Sequence, residues 1–150
     1  MSKQMKLMET VLKEPMKYSP LVIISSNGIK KKHFLRSVST KTGWQVMESS
    51  EIVSDIVSYI KEKTIEEWKE MMLGKPALII NNLNFLKART ASQAYLFEIL
   101  SMYKKPVILI MRNLEGFSED MFEFLSASAI VHLDSNSVIK LPYYDDIFES

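Results

Sequence analysis

The 150-residue chain contains no cysteine. Disulfides, thiolate metal sites and cysteine nucleophiles are thereby excluded. Glycine is scarce, at four residues, and only Gly28 falls in a stretch that reads as a ligand loop. The two histidines, His33 and His132, stand far apart with no partner at ligand spacing, so no metal motif can be argued. No apolar run approaches the ~20 residues that span a bilayer, and a membrane partner is not expected. The opening segment MSKQMKLMETVLKEPMKY is charged throughout and lacks the apolar core of a signal peptide, so the expected compartment is the cytoplasm. Charge of one sign is not in excess either: 19 Lys/Arg and 18 Asp/Glu leave a net +1, with no global pull toward nucleic acid.

What is present is an ordinary globular composition, 47% hydrophobic and 25% charged, at a length that fits one domain over residues 1–150. The charge is unevenly spread. Residues 1–75 carry thirteen Lys/Arg and nine Asp/Glu (+4), whereas residues 76–150 carry six and nine (−3). A basic first half beside an acidic second half permits local contact with an anion but does not require one.

Strands and helices alternate along the chain. LVIIS (21–25) is a short, all-apolar, β-branched run of the kind covered on both faces. A helix is expected from about Lys30 to Ser39, then a strand at WQVME (44–48). Residues 49–72 show apolar side chains at helical spacing, with Ser50 as the expected cap of one helix and Thr64–Glu67 as a capping box for the next. After Gly74-Lys75-Pro76 follow a strand ALIINN (77–82), an amphipathic helix (90–103), a strand PVILIM (106–111), a short capped helix (118–126) and a strand AIVHL (129–133). The acidic tail LPYYDDIFES, with Asp145 and Asp146, reads as solvated. This order predicts a three-layer α/β fold around a five-stranded parallel sheet. Ligands of such folds sit beyond the carboxyl ends of the strands, which here carry Ser25-Ser26-Asn27, Asn81-Asn82 and Arg112-Asn113.

The segment SSNGIKKK (25–32) sits where a phosphate-binding loop would. A working loop, GxxxxGK[ST], wraps phosphates with backbone N–H groups, reaches them with its Lys and holds Mg²⁺ with its hydroxyl. Here Ser25 replaces the first Gly, Lys30 the second, Lys31 matches the Lys, and Lys32 replaces the hydroxyl; Ser26, Asn27 and Gly28 lie between. The strand that would supply the metal's carboxylates ends in Asn81 and Asn82. An amide hydrogen-bonds, but it neither neutralises a divalent ion nor takes a proton from water. Hydrolysis by the usual route is not expected. Three lysines at a helix N-terminus also oppose the macrodipole, at roughly 0.3–1 kcal/mol each. Two readings stay open: an anion rests on them without metal, or they point into water.

With both halves placed, about residues 5–135 resemble the AAA+ core of the DnaA/Hda-like bacterial replication initiator family, a branch of the P-loop NTPase fold. The sharpest piece is MESSEIVSDIVSYIKEKTIEEWKEMMLGKPALIINNLNFL (47–86), nearly continuous with the family's pattern; RTASQAYLFEIL (89–100) continues it. The resemblance implies an AAA+ sheet without the helical lid, which would begin where this sequence stops. It places Arg112 near the family's polar sensor and Lys61 and Lys63 at a basic turn that in the family touches single-stranded DNA. No Arg follows Arg112, so the family's arginine finger is missing.

The expected function is therefore that of a pseudo-ATPase with no cofactor. It would act by contact with a replication protein, such as DnaA or another initiation factor, in replication initiation or its regulation. Self-association stays open. So do two alternatives: weak, metal-independent ATP or ADP binding through Gly28, Lys30 and Lys31, and single-strand binding through Lys61 and Lys63. Against the latter, Glu62 lies between the lysines and Glu66-Glu67 follow. QMKLM (4–8) faintly resembles a clamp-docking peptide of replication proteins, but Met5, Met8 and Leu12 at helical spacing favour core packing. Trp68 on the apolar stripe likewise reads as core rather than as a stacking platform.

Overall fold

The computed structural model describes residues 3–134 and 137–140. Helix α1 (Lys3–Lys13) leads into β1 (Leu21–Ile24), α2 (Gly28–Thr42), β2 (Val46–Glu48), α3 (Ser49–Lys61) and α4 (Ile65–Leu73). Then follow β3 (Leu78–Asn81), a 3-10 turn (Leu83–Leu86), α5 (Thr90–Met102), β4 (Val107–Met111), α6 (Glu119–Ala127), β5 (Ala129–His132) and β6 (Ser137–Lys140). The sheet order is β2-β3-β4-β1-β5-β6. The first five strands in that order run parallel, as expected. The sixth, β6, was not anticipated and pairs antiparallel with β5.

Parallel strands need helical crossovers, and these cover both faces of the sheet. Alternate side chains therefore enter two separate cores. Leu21 and Ile23 of β1, with Ile79, Ile108 and Val131, pack against Val11 and Leu12 of α1 and Phe34 and Val38 of α2. Val22 and Ile24, with Leu78, Ile80, Leu109 and Ile130, face Ile52 and Ile56 of α3, Trp68 and Met72 of α4, Leu96 and Ile99 of α5, and Met121 and Leu125 of α6. β1 lies between β4 and β5, so its carboxyl end opens onto the middle of the sheet's upper edge.

Local expectations held unevenly. The 90–103 and 118–126 helices form close to their expected bounds, and Ser118 caps α6 by accepting from the Met121 amide at 3.3 Å. Ser50 does not cap α3: it is already helical, and Glu48 at the cap position offers no side-chain bond. Thr64 sits at the cap of α4, but its hydroxyl turns back to the Tyr59 carbonyl (3.4 Å), so no capping box closes. The helix placed from Lys30 in fact starts two residues earlier, at Gly28, and runs to Thr42, where Gly43 ends it in the left-handed conformation (φ 73°). Met8 and Leu12 pack into the α1–α2 core, as the helical reading of QMKLM required. The tail bearing Asp145 and Asp146 lies outside the described residues. No helix among the described residues is long and apolar enough to cross a membrane.

Candidate functional site

The loop between β1 and α2 is three residues long, Ser25-Ser26-Asn27, because Asn27 caps the helix at once. Its Oδ1 accepts from the amides of Ile29 (3.0 Å) and Lys30 (3.1 Å). Those are two of the orphan donors that a phosphate would otherwise take. The Lys31 amide donates to the Asn27 carbonyl (3.1 Å), and the Asn27 amide to Ser25 Oγ (3.1 Å). Gly28, the one glycine retained, opens α2 without a positive φ, and a Cβ added there would meet nothing within 4 Å. It makes no wrap.

The remaining donors are held by a carboxylate that sequence reasoning did not single out. Asp134 follows β5, the strand next to β1. Its Oδ1 accepts from the fully buried Ser25 hydroxyl at 2.6 Å. Its Oδ2 accepts from the Ser26 amide at 2.8 Å and the Ser26 hydroxyl at 2.9 Å. The Ser25 bond is the largest cause holding its pKa down to about 2; the Ser26 amide and hydroxyl and the Asn27 amide add to it, against partial burial, which pushes the other way. Lys30 leans over the same turn, its Nζ donating to the carbonyls of Leu133 and Asp134 at 3.3 Å each. Lys30 is thus drawn onto the β5 end, while Lys31 is half-buried and Lys32 exposed beside it. The loop grips an anion, and the anion is its own.

On β3 the paired amides fall at the strand's end, as expected. Asn81 Nδ2 donates to Glu48 Oε1 (2.9 Å) and its Oδ1 is buried with no partner among the described residues, while Ser49 Oγ donates to the Asn81 carbonyl (3.0 Å). Asn82 is exposed in the left-handed region (φ 57°), which Asn tolerates better than most residues. Glu48 is the carboxylate nearest this pair, but β2 lies three strands from β1. At ~4.8 Å per strand it stands about 14 Å from the loop, too far to share a metal with a phosphate held there. Among the described residues no three His, Asp or Glu side chains are grouped to hold a metal ion. The strand-end amides Asn81 and Asn82 do not supply the carboxylates that a magnesium nucleotide calls for, so this donor set does not fit one.

Arg112 lies directly after β4, exposed, on the strand between β1 and β3. Its backbone is fixed by Asn84, whose Oδ1 accepts from the Arg112 amide (2.6 Å) and whose Nδ2 donates to the Asn113 carbonyl (3.2 Å). Gln93, 1% exposed, ties the same loops together: it accepts from the Ser118 amide (2.7 Å) and donates to the Leu86 carbonyl (2.9 Å). Neither Asn84 nor Gln93 was singled out from sequence. Buried amide side chains therefore cross-link the loops of the upper edge. Lys61 ends α3 and Lys63 occupies the turn with φ 59°, both exposed, at a distance in sequence from every loop above. Their exposed neighbours Glu62 and Glu67 offset them, while Glu66 is paired with Lys69 (3.1 Å), so the turn carries no excess of positive charge. Trp68 is fully buried and offers no stacking surface.

Residues 4–112 match the bacterial DnaA ATPase domain family. The chromosomal replication initiator protein DnaA of Aquifex aeolicus (strain VF5) is 25% identical over 129 residues, covering 78% of this chain and 32% of that protein. DnaA of Thermotoga maritima (strain ATCC 43589 / DSM 3109 / JCM 10099 / NBRC 100826 / MSB8) is 31% identical over 121 residues, covering 73% of this chain and 28% of the other. The crystal structure of domain III from Thermotoga maritima DnaA superposes with a TM-score of 0.76 at 23% identity, over 87% of this chain and 60% of that one, a likeness of fold. The chain spans about a third or less of the curated relatives it matches.

Proposed function

The chain belongs to the bacterial DnaA ATPase domain family, and from that premise we propose that it is a catalytically inactive member acting by protein–protein contact in replication initiation or its regulation. Its partner would be a replication protein, DnaA itself or another initiation factor, that reads the family's surfaces. The observation that carries this reading is the Asp134 carboxylate seated on Ser25 and Ser26 at 2.6–2.9 Å. An anionic side chain in the loop excludes a second anion by charge and by occupying its donors. Lys32, Asn81 and Asn82 in place of hydroxyl and acids point the same way.

The test is calorimetric titration with ATP and ADP, with and without EDTA, beside a phosphate-release assay. The expected result is no submillimolar binding and no release. Affinity that survives EDTA and is lost when Lys31 is changed would favour the metal-independent sensor instead. Magnesium-dependent turnover would overturn the inactive reading altogether.

A further inference from the structure

Because β1 to β5 run parallel, their amino ends share one edge of the sheet, opposite the loops of the site described above. Two of the loops entering that edge are tied to each other. The Leu78 amide donates to the Pro106 carbonyl (2.9 Å), the Tyr103 hydroxyl to the Lys75 carbonyl, and Lys105 Nζ to the Leu73 carbonyl (3.0 Å). Lys75, Lys104 and Lys105 are thereby gathered on adjoining loops at the entries to β3 and β4.

Little nearby balances them. Between Glu70 and Glu115 the sequence has six Lys/Arg and one acidic residue, Glu98, which is paired with Lys69 at 3.2 Å. The other three cations of that run lie at the carboxyl-end edge, where Asn113 Oδ1 holds Lys87 and the Phe85 ring and carbonyl hold Arg89. Among the described residues, Lys75 and Lys104 make no ion pair or side-chain hydrogen bond. Lys75 also lines a cleft of about 210 Å³ whose walls include Trp44, Met47, Pro76 and Ala77.

The chain itself brings a segment of matching chemistry to this edge. β6 runs antiparallel to β5, with Ser137 opposite His132 and Lys140 opposite Ile130, so it delivers the chain to the amino-end edge. The ten residues that follow, LPYYDDIFES (141–150), lie outside the described residues; they carry Asp145, Asp146 and Glu149 and no cation. β6 is three strands from β4, four from β3 and five from β2, or ~14, ~19 and ~24 Å at ~4.8 Å per strand. At ~3.3 Å per extended residue, Asp145 reaches ~17 Å from Lys140, Asp146 ~20 Å and Phe148 ~26 Å. Charge and reach coincide.

We propose that the acidic segment 141–150 crosses this edge, setting Asp145 and Asp146 on Lys104 and Lys75 and Phe148 in the cleft against Trp44. The ion pairs face water, so salt weakens them. The segment acts as a strap: a polyanion or acidic protein approaching these lysines has first to displace it. Nucleotide plays no part in the contact, so it stands or falls apart from the inactive reading.

The test uses the full chain with Ser150→Cys, whose thiol is then the only one in the protein and carries a nitroxide. The amide resonances of Lys75 and Lys104 are expected to broaden at low salt and to recover near about 1 M salt, where the Debye length falls to about 3 Å. Lys75→Glu/Lys104→Glu should abolish the broadening, and adding Asp145→Lys/Asp146→Lys to the same chain should restore it. Phe148→Ala should shift the Trp44 indole resonance and leave that of the buried Trp68 in place. The remaining amide resonances check that each variant keeps its fold. Broadening that is absent, that centres elsewhere or that ignores the charge reversal overturns the proposal, as does a Trp44 resonance indifferent to Phe148→Ala. Broadening seen only on nitroxide-free copies mixed with labelled ones overturns it too, because the segment would then bridge two molecules.

Discussion

Replacing Asp134 with Asn keeps the shape of the side chain and removes the charge that the β1–α2 loop holds. Were the carboxylate shielded from water, a pKa lowered from 3.8 to about 2 would stabilise the fold by roughly 2.5 kcal/mol. Asp134 stands at the water's edge, and screening reduces this to about 1 kcal/mol. The sign follows from the direction of the shift. The folded state binds this proton less readily than the unfolded state, so the contribution is full above about pH 5 and is lost as pH falls through 3.8 toward 2. Urea unfolding, followed by the fluorescence of the buried Trp68, reads the difference between wild type and Asp134→Asn. The variant should be less stable by about 1 kcal/mol near pH 7, and most of the gap should be gone near pH 2, where the native carboxyl is about half protonated. An equal gap at both pH values, or none near neutrality, would refute the claim that a charged carboxylate organises this loop.

Two further outcomes follow from the frame around it. Asn84→Ala removes an acceptor for the Arg112 amide and a donor to the Asn113 carbonyl, so it should cost about 1–3 kcal/mol in the same urea assay; an unchanged midpoint would show that the two loops do not depend on it. Lys61→Glu with Lys63→Glu should leave affinity for a single-stranded oligonucleotide and its salt slope unchanged, because neighbouring glutamates already offset the two lysines; a loss of affinity with a shallower slope would restore the single-strand reading.

The layered fold was legible because β1, β3 and β4 are sandwiched between helices, a setting that selects short, unbroken apolar runs such as LVII and VILIM. The edge was less so. β6 escaped notice because an antiparallel edge strand of four residues, SVIK, leaves no such run. α2 begins at Gly28, two residues before its expected start at Lys30, because Asn27 caps it immediately after β1. Ser50 and Thr64 are good caps by composition, yet Ser50 is already inside α3 and the Thr64 hydroxyl donates to the Tyr59 carbonyl instead. Asp134 was beyond local reading altogether. It lies 109 residues from Ser25, and only the pairing of β5 beside β1 brings the two into reach.

The outermost strand on the side of β2 is three residues, Val46–Glu48, and passes into α3 without a loop. A neighbouring chain seeking to extend the sheet there would find fewer open amides and carbonyls than a lasting ladder requires. A protein whose inner strands are almost wholly aliphatic thereby carries its own guard against fibrous self-templating. Lengthening that border by even a few β-branched residues would be the quickest way to turn a well-behaved domain into an aggregating one.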